Sequence, residues 1–119
     1  MSATGFTFYE GRKRYDIYYI TGSVSANTAF PSTPITAERP GRMYLLISVS
    51  GAAYLQLTIT LPTGQSQSSY LAGGNQLNAN TWYEFDFPAT TGMQIQFVSS
   101  AAVNVFIIVV FESEVPVPA

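Results

Sequence analysis

Hydrophobic and polar residues alternate along much of this chain, and the clearest departure from the alternation is a continuous apolar run at 103–111 (VNVFIIVVF). Successive side chains of a β-strand point to opposite faces. One face of this run would carry Val103, Val105, Ile107, Val109 and Phe111, and the other would carry Phe106, Ile108 and Val110. A strand with one solvated face alternates with polar residues, so this run predicts a strand that is covered on both sides. Because no segment has helical periodicity, we expect the second cover to be another copy of the protein.

Eight further segments have the composition of short strands, and turn residues separate them about every ten positions. They are 6–9, 14–20, 35–38, 43–49, 54–61, 69–72, 82–87 and 93–97. Residues 21–34 are rich in Ser, Thr, Asn and Pro, and we interpret them as one long loop. The pattern predicts an all-β fold: an antiparallel β-sandwich of the jelly-roll or Greek-key type with about seven to nine short strands. The length predicts a single domain over 1–119, with 1–5 and 113–119 as extended terminal arms.

Charged residues make up only 10% of the chain, far below the usual quarter. A surface with so few charges suits a protein whose exterior is used in contacts. The formal net charge of −2 argues against nucleic-acid binding, which needs a basic footprint. No apolar run approaches the roughly 20 residues of a membrane helix, so no membrane partner is expected. The first residues lack the pattern of a signal peptide, and we expect synthesis in a cytoplasm without secretion.

The sequence offers little material for catalysis. It contains no His and no Cys, which removes the usual nucleophile–base pairs and thiolate or imidazole metal sites. Glu84 and Asp86 lie two positions apart and share a strand face. With oxygens from Asn75, Asn78 or Asn80 they are weak candidates for a calcium site, and a solvated outer face is the favoured explanation. The sequence therefore predicts no catalytic residue, no cofactor and no enzymatic activity.

Aromatic residues allow a competing interpretation. The chain has one Trp and eight Tyr, and jelly-roll modules can bind glycans by stacking aromatic rings on sugars. Trp82, Tyr18 and Tyr54 are candidates for such a platform. The same residue types are common in protein interfaces and in sandwich cores, so the alternative of a carbohydrate-binding module stays open at this point.

Other segments are candidates for contacts between subunits. The face with Phe106, Ile108 and Val110 is the candidate for self-association, and the opposite face of the same strand is the alternative. Thr4, Phe6 and Phe8 near the beginning of the chain, and Val115 and Val117 near its end, are candidates for arms that reach a neighbouring subunit. Arg12, Lys13 and Arg14 form a basic turn that could meet an acidic surface of a partner.

The chain resembles a family of small all-β virion structural proteins, the decoration or cement proteins of tailed-phage capsids. The resemblance is carried by the segments WYEFDFP and MQIQFVSSAAVNVFIIVVFE and by the extended ends MSATGF and SEVPVPA. No diagnostic motif of that family is present, so no residue role is carried over. The resemblance implies a homo-oligomer, often a trimer, on the surface of a virion. Its partner would be the major capsid protein or another virion protein, and its role would be to stabilise the capsid lattice.

Overall fold

The computed structural model describes residues 2–115, which form nine β-strands and a single 3-10 turn at Ala72–Gly74. The strands are β1 (Thr4–Glu10), β2 (Lys13–Val24), β3 (Ala29–Thr36), β4 (Gly41–Val49), β5 (Leu55–Thr60), β6 (Ser66–Tyr70), β7 (Tyr83–Ala89), β8 (Gln94–Ser99) and β9 (Val103–Glu114). Within this described part, no helix has the length and apolar character needed to cross a bilayer.

The strands form two antiparallel sheets that pack face to face. One sheet has five strands in the order β1-β2-β9-β4-β7, and the other has four in the order β3-β8-β5-β6. Apart from β1, the chain passes back and forth between two sets of four strands, which is the jelly-roll arrangement. The predicted fold class, an all-β antiparallel sandwich, is confirmed. Strand β1 is an addition at one end of the larger sheet.

The core lies between the two sheets and is built from alternate residues of the central strands. On β9, Val105, Ile107, Val109 and Phe111 are buried; Met43, Leu45, Ile47 and Val49 are their counterparts on β4. From the other sheet, the rings of Phe30 and Phe97 enter the core stacked, with centroids 5.8 Å apart. The central position of β9, between β2 and β4, explains why one of its faces is fully apolar.

The predicted long loop at 21–34 is wrong, because β2 continues to Val24 and β3 begins at Ala29. Strand β3 contains Pro31 and Pro34, which an edge strand tolerates because one of its sides donates no ladder hydrogen bonds. Its pairing with β8 shifts register between Phe30 and Ile35. These two residues are five positions apart, and only the irregularity allows both to be buried on one face.

The chain ends differ in extent from the predicted arms. Thr4 and Gly5, which the sequence predicted to lie in an arm, belong to β1 and pair with Tyr19 and Tyr18 of β2. Met1 lies outside the described residues. At the other end β9 continues to Glu114. The N–H of Val115 donates a hydrogen bond of 2.8 Å to the carbonyl oxygen of Arg12, which ties this residue to its own chain. Residues 116–119, including Val117, lie outside the described residues.

Candidate assembly surface

The side of the five-stranded sheet that faces away from the core carries an unusual set of side chains. We call this surface the outer face. It comprises Thr4, Phe6 and Phe8 on β1; Tyr15, Ile17, Tyr19 and Thr21 on β2; Phe106, Ile108 and Val110 on β9; Arg42, Tyr44, Leu46 and Ser48 on β4; and Glu84 and Asp86 on β7, with Trp82 beside them.

The apolar members of the outer face line up in rows across the strands. The strand register places Phe6, Ile17, Val110 and Tyr44 in one row and Thr4, Tyr19, Ile108 and Leu46 in the next. Directly opposite side chains in antiparallel strands lie about 4.5–5.5 Å apart at Cβ, close enough to contact each other. The three self-association candidates of β9 therefore lie at the centre of a continuous apolar surface.

Five aromatic side chains of this surface are exposed: Phe6 (46%), Phe8 (42%), Tyr19 (39%), Phe106 (44%) and Trp82 (57%). Phe6 lies with its ring centroid 5.8 Å from that of Tyr19. Trp82 meets the ring of Phe106 edge-on at 5.4 Å. Single exposed apolar residues are ordinary, but a contiguous patch of this kind marks an interaction site. Trp82, whose environment the sequence left open, thus belongs to this patch and not to the core.

Charged groups are confined to the margins of the outer face, and most of them are paired. Lys13 Nζ donates to Glu112 Oε1 at 2.7 Å, and this hydrogen bond and the carboxylate charge raise the pKa of the Lys13 ammonium. Arg42 forms an ion pair with Asp86. Glu84 is exposed and lies opposite Leu46. The outer face is therefore apolar in its middle and polar along the β7 edge.

The proposed calcium ligands do not form a metal site with other acidic groups. Asp86 is engaged by Arg42, and Glu84 points from the same strand beside it. Across residues 2–115, no group of three or more acidic side chains is arranged to hold a metal ion. Both carboxylates instead form the acidic margin of the outer face.

The predicted basic turn is divided between the two faces of the sheet. Successive strand residues point in opposite directions, so Lys13 pairs with Glu112 on the outer face, while Arg14 lies on the inner side. Burial by itself lowers the pKa of Arg14, but its hydrogen bonds to Asp16 and Glu38 outweigh this and leave the pKa raised.

Arg14 is also part of a small polar cluster at the rim of the core. Its Nη2 atom lies 2.6 Å from Glu38 Oε2, and the buried Asp16 accepts a second hydrogen bond, of 2.6 Å, from Thr7. Of the three basic residues in the turn, Arg12 alone has no ion pair within the described part of the chain. The turn thus offers a partner one free cation and not three.

The structure does not bring the three candidates for a sugar platform together. Trp82 lies on the outer face, whereas Tyr18 lies on the inner side of the same sheet, with its ring centroid 6.1 Å from that of Phe111. Tyr54 precedes β5 of the other sheet and meets Tyr70 edge-on at 6.0 Å. The positions of these three rings relative to one another depend on which strands are neighbours, and no local sequence pattern predicts that.

Sequence reasoning missed an open cleft between the sheets at the β6 and β7 edges. It has a volume of about 1020 Å³ and apolar walls formed by Leu57, Ile59, Phe85 and Phe87. The inward positions of β6 are held by Gln67 and Ser69, opposite Ile59 and Leu57. Such short or polar side chains do not fill the space between the sheets. A polar edge strand facing two Phe residues is the signal that could have predicted the cleft.

Comparisons with known proteins give the fold but no family. No protein-family model matches the chain, and no curated protein matches it. Among solved structures, a protein of the disulfide-linked pili that form Bacillus endospore appendages is 12% identical, with a TM-score of 0.55 over 90% of this chain and 92% of that one. At this identity the likeness shows a shared fold and nothing further.

Two other solved structures are less similar in shape. The C-terminal domain of A223, a structural protein from sulfolobus turreted icosahedral virus, is 21% identical, with a TM-score of 0.47 over 76% of this chain and 92% of that one. The CBM22-1 xylan-binding domain of Paenibacillus barcinonensis Xyn10C is 12% identical, with a TM-score of 0.44 over 96% of this chain and 83% of that one. The structural neighbours thus include a viral structural protein and a carbohydrate-binding domain.

Proposed function

We propose that this chain is a non-enzymatic structural protein that assembles with copies of itself through the outer face. We further propose that it belongs to a virion, where it decorates the capsid surface and stabilises the lattice. The observation that carries the first part is the contiguous apolar outer face centred on Phe106, Ile108 and Val110. The virion setting rests on the resemblance of the chain to capsid decoration proteins. Neither the outer face nor this resemblance determines how many copies form the oligomer.

The exposed aromatic residues supply the driving force for assembly. Full burial of a Phe side chain contributes about 1.5–3 kcal/mol, and Phe6, Phe8 and Phe106 still have 42–46% of their surface exposed. Each therefore has roughly half of that free energy left to gain. Repetition of such contacts by symmetry turns modest pairwise contacts into a stable lattice.

Assembly through the outer face is tested with Ile108→Asp. Ile108 is half-buried at the centre of the face, between Tyr19 and Leu46. A carboxylate there would be desolvated in any interface that the outer face forms, so we expect the variant to fold but to lose the assembly that depends on this face. The solution mass from light scattering across a dilution series, with circular dichroism as the test of folding, gives the result.

A matched control and a milder variant accompany this experiment. Gln56→Asp places the same charge on the solvent side of β5 in the other sheet, and we expect it to assemble like the unaltered protein. Phe106→Thr places a β-branched residue, which suits a strand, at an exposed position of β9, and it replaces Ile108→Asp in the experiment if that variant does not fold. An unaltered protein that is monomeric at every concentration would contradict the proposal.

The virion setting has a separate test. Mass spectrometry of purified virus particles should find this chain at a fixed ratio to the major capsid protein. Particles that are complete without the chain would remove the capsid role and leave assembly through the outer face standing.

The second candidate function, carbohydrate binding, is favoured by the cleft and by the aromatic pair beside it. Tyr70 lines the cleft and contacts Tyr54, and both rings are exposed. A glycan array with the unaltered protein and Tyr70→Ala tests this function. Glycan binding that is lost in Tyr70→Ala would support carbohydrate binding. If the unaltered protein binds no glycan on the array, this second function is contradicted and the structural role is the remaining proposal.

A further inference from the structure

Strand β1 lies outside the packed sandwich. The five-stranded sheet has one strand more than the four-stranded sheet, and β1 occupies its end. All seven residues of β1 are exposed, including those on the side that faces the core elsewhere in the sheet. Phe6 and Phe8 continue the outer face, and Tyr9 on the opposite side is 61% exposed. One edge of β1 pairs with β2, and in residues 2–115 no strand pairs with the other edge.

The edge strands of this molecule differ in how they are protected against pairing. Natural edge strands commonly carry charges, prolines or irregular pairing that prevent contact with another strand. Strand β7 carries Glu84, Asp86 and Pro88, and β3 carries two prolines and a register shift. Strand β6 is a short polar strand of five residues. In β1, the six residues from Thr4 to Tyr9 contain neither a charge nor a proline.

We infer that β1 pairs antiparallel with β1 of a second copy about a twofold axis at Thr7. Thr7 is the middle residue of the strand, so this register pairs all seven positions. It places Phe6 opposite Phe8 of the second copy on the outer face, and Gly5 opposite Tyr9 on the other side. Aromatic pairs across strands favour such a register. The inference rests on the proposed function, and it specifies which edge and which register join two copies.

The pairing has a geometric consequence for the assembly. It joins two five-stranded sheets edge to edge into one ten-stranded sheet, and the two outer faces become one continuous surface on the same side. Because the axis is twofold and the contact is isologous, the building unit is a dimer. The trimer that the family resemblance implies would then need a different contact.

The absence of Cys from the sequence makes a direct test simple, because any single introduced Cys can only be cross-linked between chains. Directly opposite Cα atoms in antiparallel strands lie about 4.5–5.5 Å apart, within the range of about 4.4–6.8 Å that a disulfide needs. Under mild oxidation at low protein concentration, we expect Thr7→Cys to form covalent dimers on non-reducing gels. Ser68→Cys, at the middle of the edge strand β6, is the matched control, and we expect at least roughly tenfold less dimer from it.

A second experiment tests the register without altering Thr7, whose hydroxyl donates to Asp16. A mixture of Phe6→Cys and Phe8→Cys proteins of distinguishable mass should give mainly the mixed dimer. Two homodimers in preference to the mixed species would overturn the register. Preferential cross-linking of Phe6→Cys with Glu84→Cys, both on the outer face, would show head-to-tail pairing of β1 with β7 and would overturn the twofold contact.

The outcomes separate this inference from the function on which it rests. If the unaltered protein is monomeric at every concentration, assembly and β1 pairing fail together. If the protein assembles and Ile108→Asp prevents it, but Thr7→Cys cross-links no better than Ser68→Cys, the proposed function stands and β1 pairing is overturned.

Discussion

Gly41 begins β4 directly against the backbone of β9, and no other residue type fits there. A Cβ atom at this position would overlap with the carbonyl oxygen of Glu112. Gly5 has a similar role on β1, where a Cβ atom would meet the ring of Tyr18. At both positions the requirement is the close approach of another group and not an unusual backbone angle. Such requirements depend on the packed structure, so the sequence alone marks Gly41 only as part of a turn.

Replacement of Gly41 by Ala should destabilise the protein by about 1–3 kcal/mol, the usual range for overpacking. The backbone of Glu112 cannot yield without disturbing the pairing of β4 with β9. Urea unfolding measures the change. Gly51→Ala is the control, because its Cβ would meet only Val103 Cγ1, at 3.2 Å, and a side-chain atom can move. Equal stability of the two variants would contradict this account.

Tyr18 gives the protein a defined response to alkali. Burial, together with the charges of Asp16 and Glu38, raises the pKa of the Tyr18 phenol in the folded state. The stabilisation from the neutral phenol is fully present below the unfolded-state pKa of about 10, and it is lost as the pH rises through the folded-state pKa. We therefore expect the free energy of unfolding to fall above about pH 10.

Tyr18→Phe should reduce the slope of this loss, because Phe has no proton to release. Denaturant unfolding at a series of pH values between about 8 and 11 measures the slope. Tyr70→Phe, at an exposed position, should leave it unchanged. An identical slope in Tyr18→Phe and the unaltered protein would assign the alkaline loss to other groups.

At the scale of single elements, strands with one apolar and one polar face were the most predictable. Strands β5 and β8 lie where the alternation of Leu and Ile with Gln and Thr indicates them. Strand β3 was mostly missed, because the irregularity between Phe30 and Ile35 breaks the alternation and only the end of the strand falls within the predicted segment 35–38. Strand β6 was mostly missed because SQSSY offers no apolar face. Edge strands with few apolar residues resemble loops in sequence, and only their pairing reveals them.

The candidate site was predictable only where one element determines it. The two apolar faces of β9 are visible in the sequence, and they predict that one face needs cover from outside the domain. The structure shows that this face is the one with Phe106, Ile108 and Val110. The rest of the outer face depends on which strands are neighbours of β9. Tyr19 and Leu46 lie beside Ile108 because β2 and β4 flank β9. This is a property of the topology, and no local pattern encodes it.

The whole molecule has two surfaces of opposite character. The outer face of the larger sheet is apolar, while the solvent side of the smaller sheet carries a ladder of uncharged hydroxyls. Thr58 pairs with Ser68, and Thr60 with Ser66, each at 2.8 Å. In an assembly joined through the outer face, this hydroxylated sheet would be the surface in contact with water.

Assembly should therefore respond to salt as an apolar association does. Screening by NaCl weakens charged contacts, but the middle of the outer face has no charged group to screen. Between about 50 and 500 mM NaCl we expect the midpoint of dissociation to change less than about threefold, and ammonium sulfate should strengthen assembly. Light scattering at each salt concentration measures the midpoint. Dissociation by NaCl would indicate an interface based on charges such as Arg12 and Glu84.

The central position of β9 also determines when the outer face can exist. This strand comes after the other eight strands of residues 2–115, yet it lies between β2 and β4, and Lys13 of β2 pairs with Glu114. During synthesis, the edges of β2 and β4 that pair with β9 stay unpaired until β9 has left the ribosome. Pairing between strands so far apart in the sequence is slow. A chain that ends before β9 lacks Phe106, Ile108 and Val110. It also lacks the strand that holds β2 and β4 side by side in the outer face. The outer face can therefore form only after β9 has been synthesised, and any chain without β9 lacks the surface through which we propose that copies assemble.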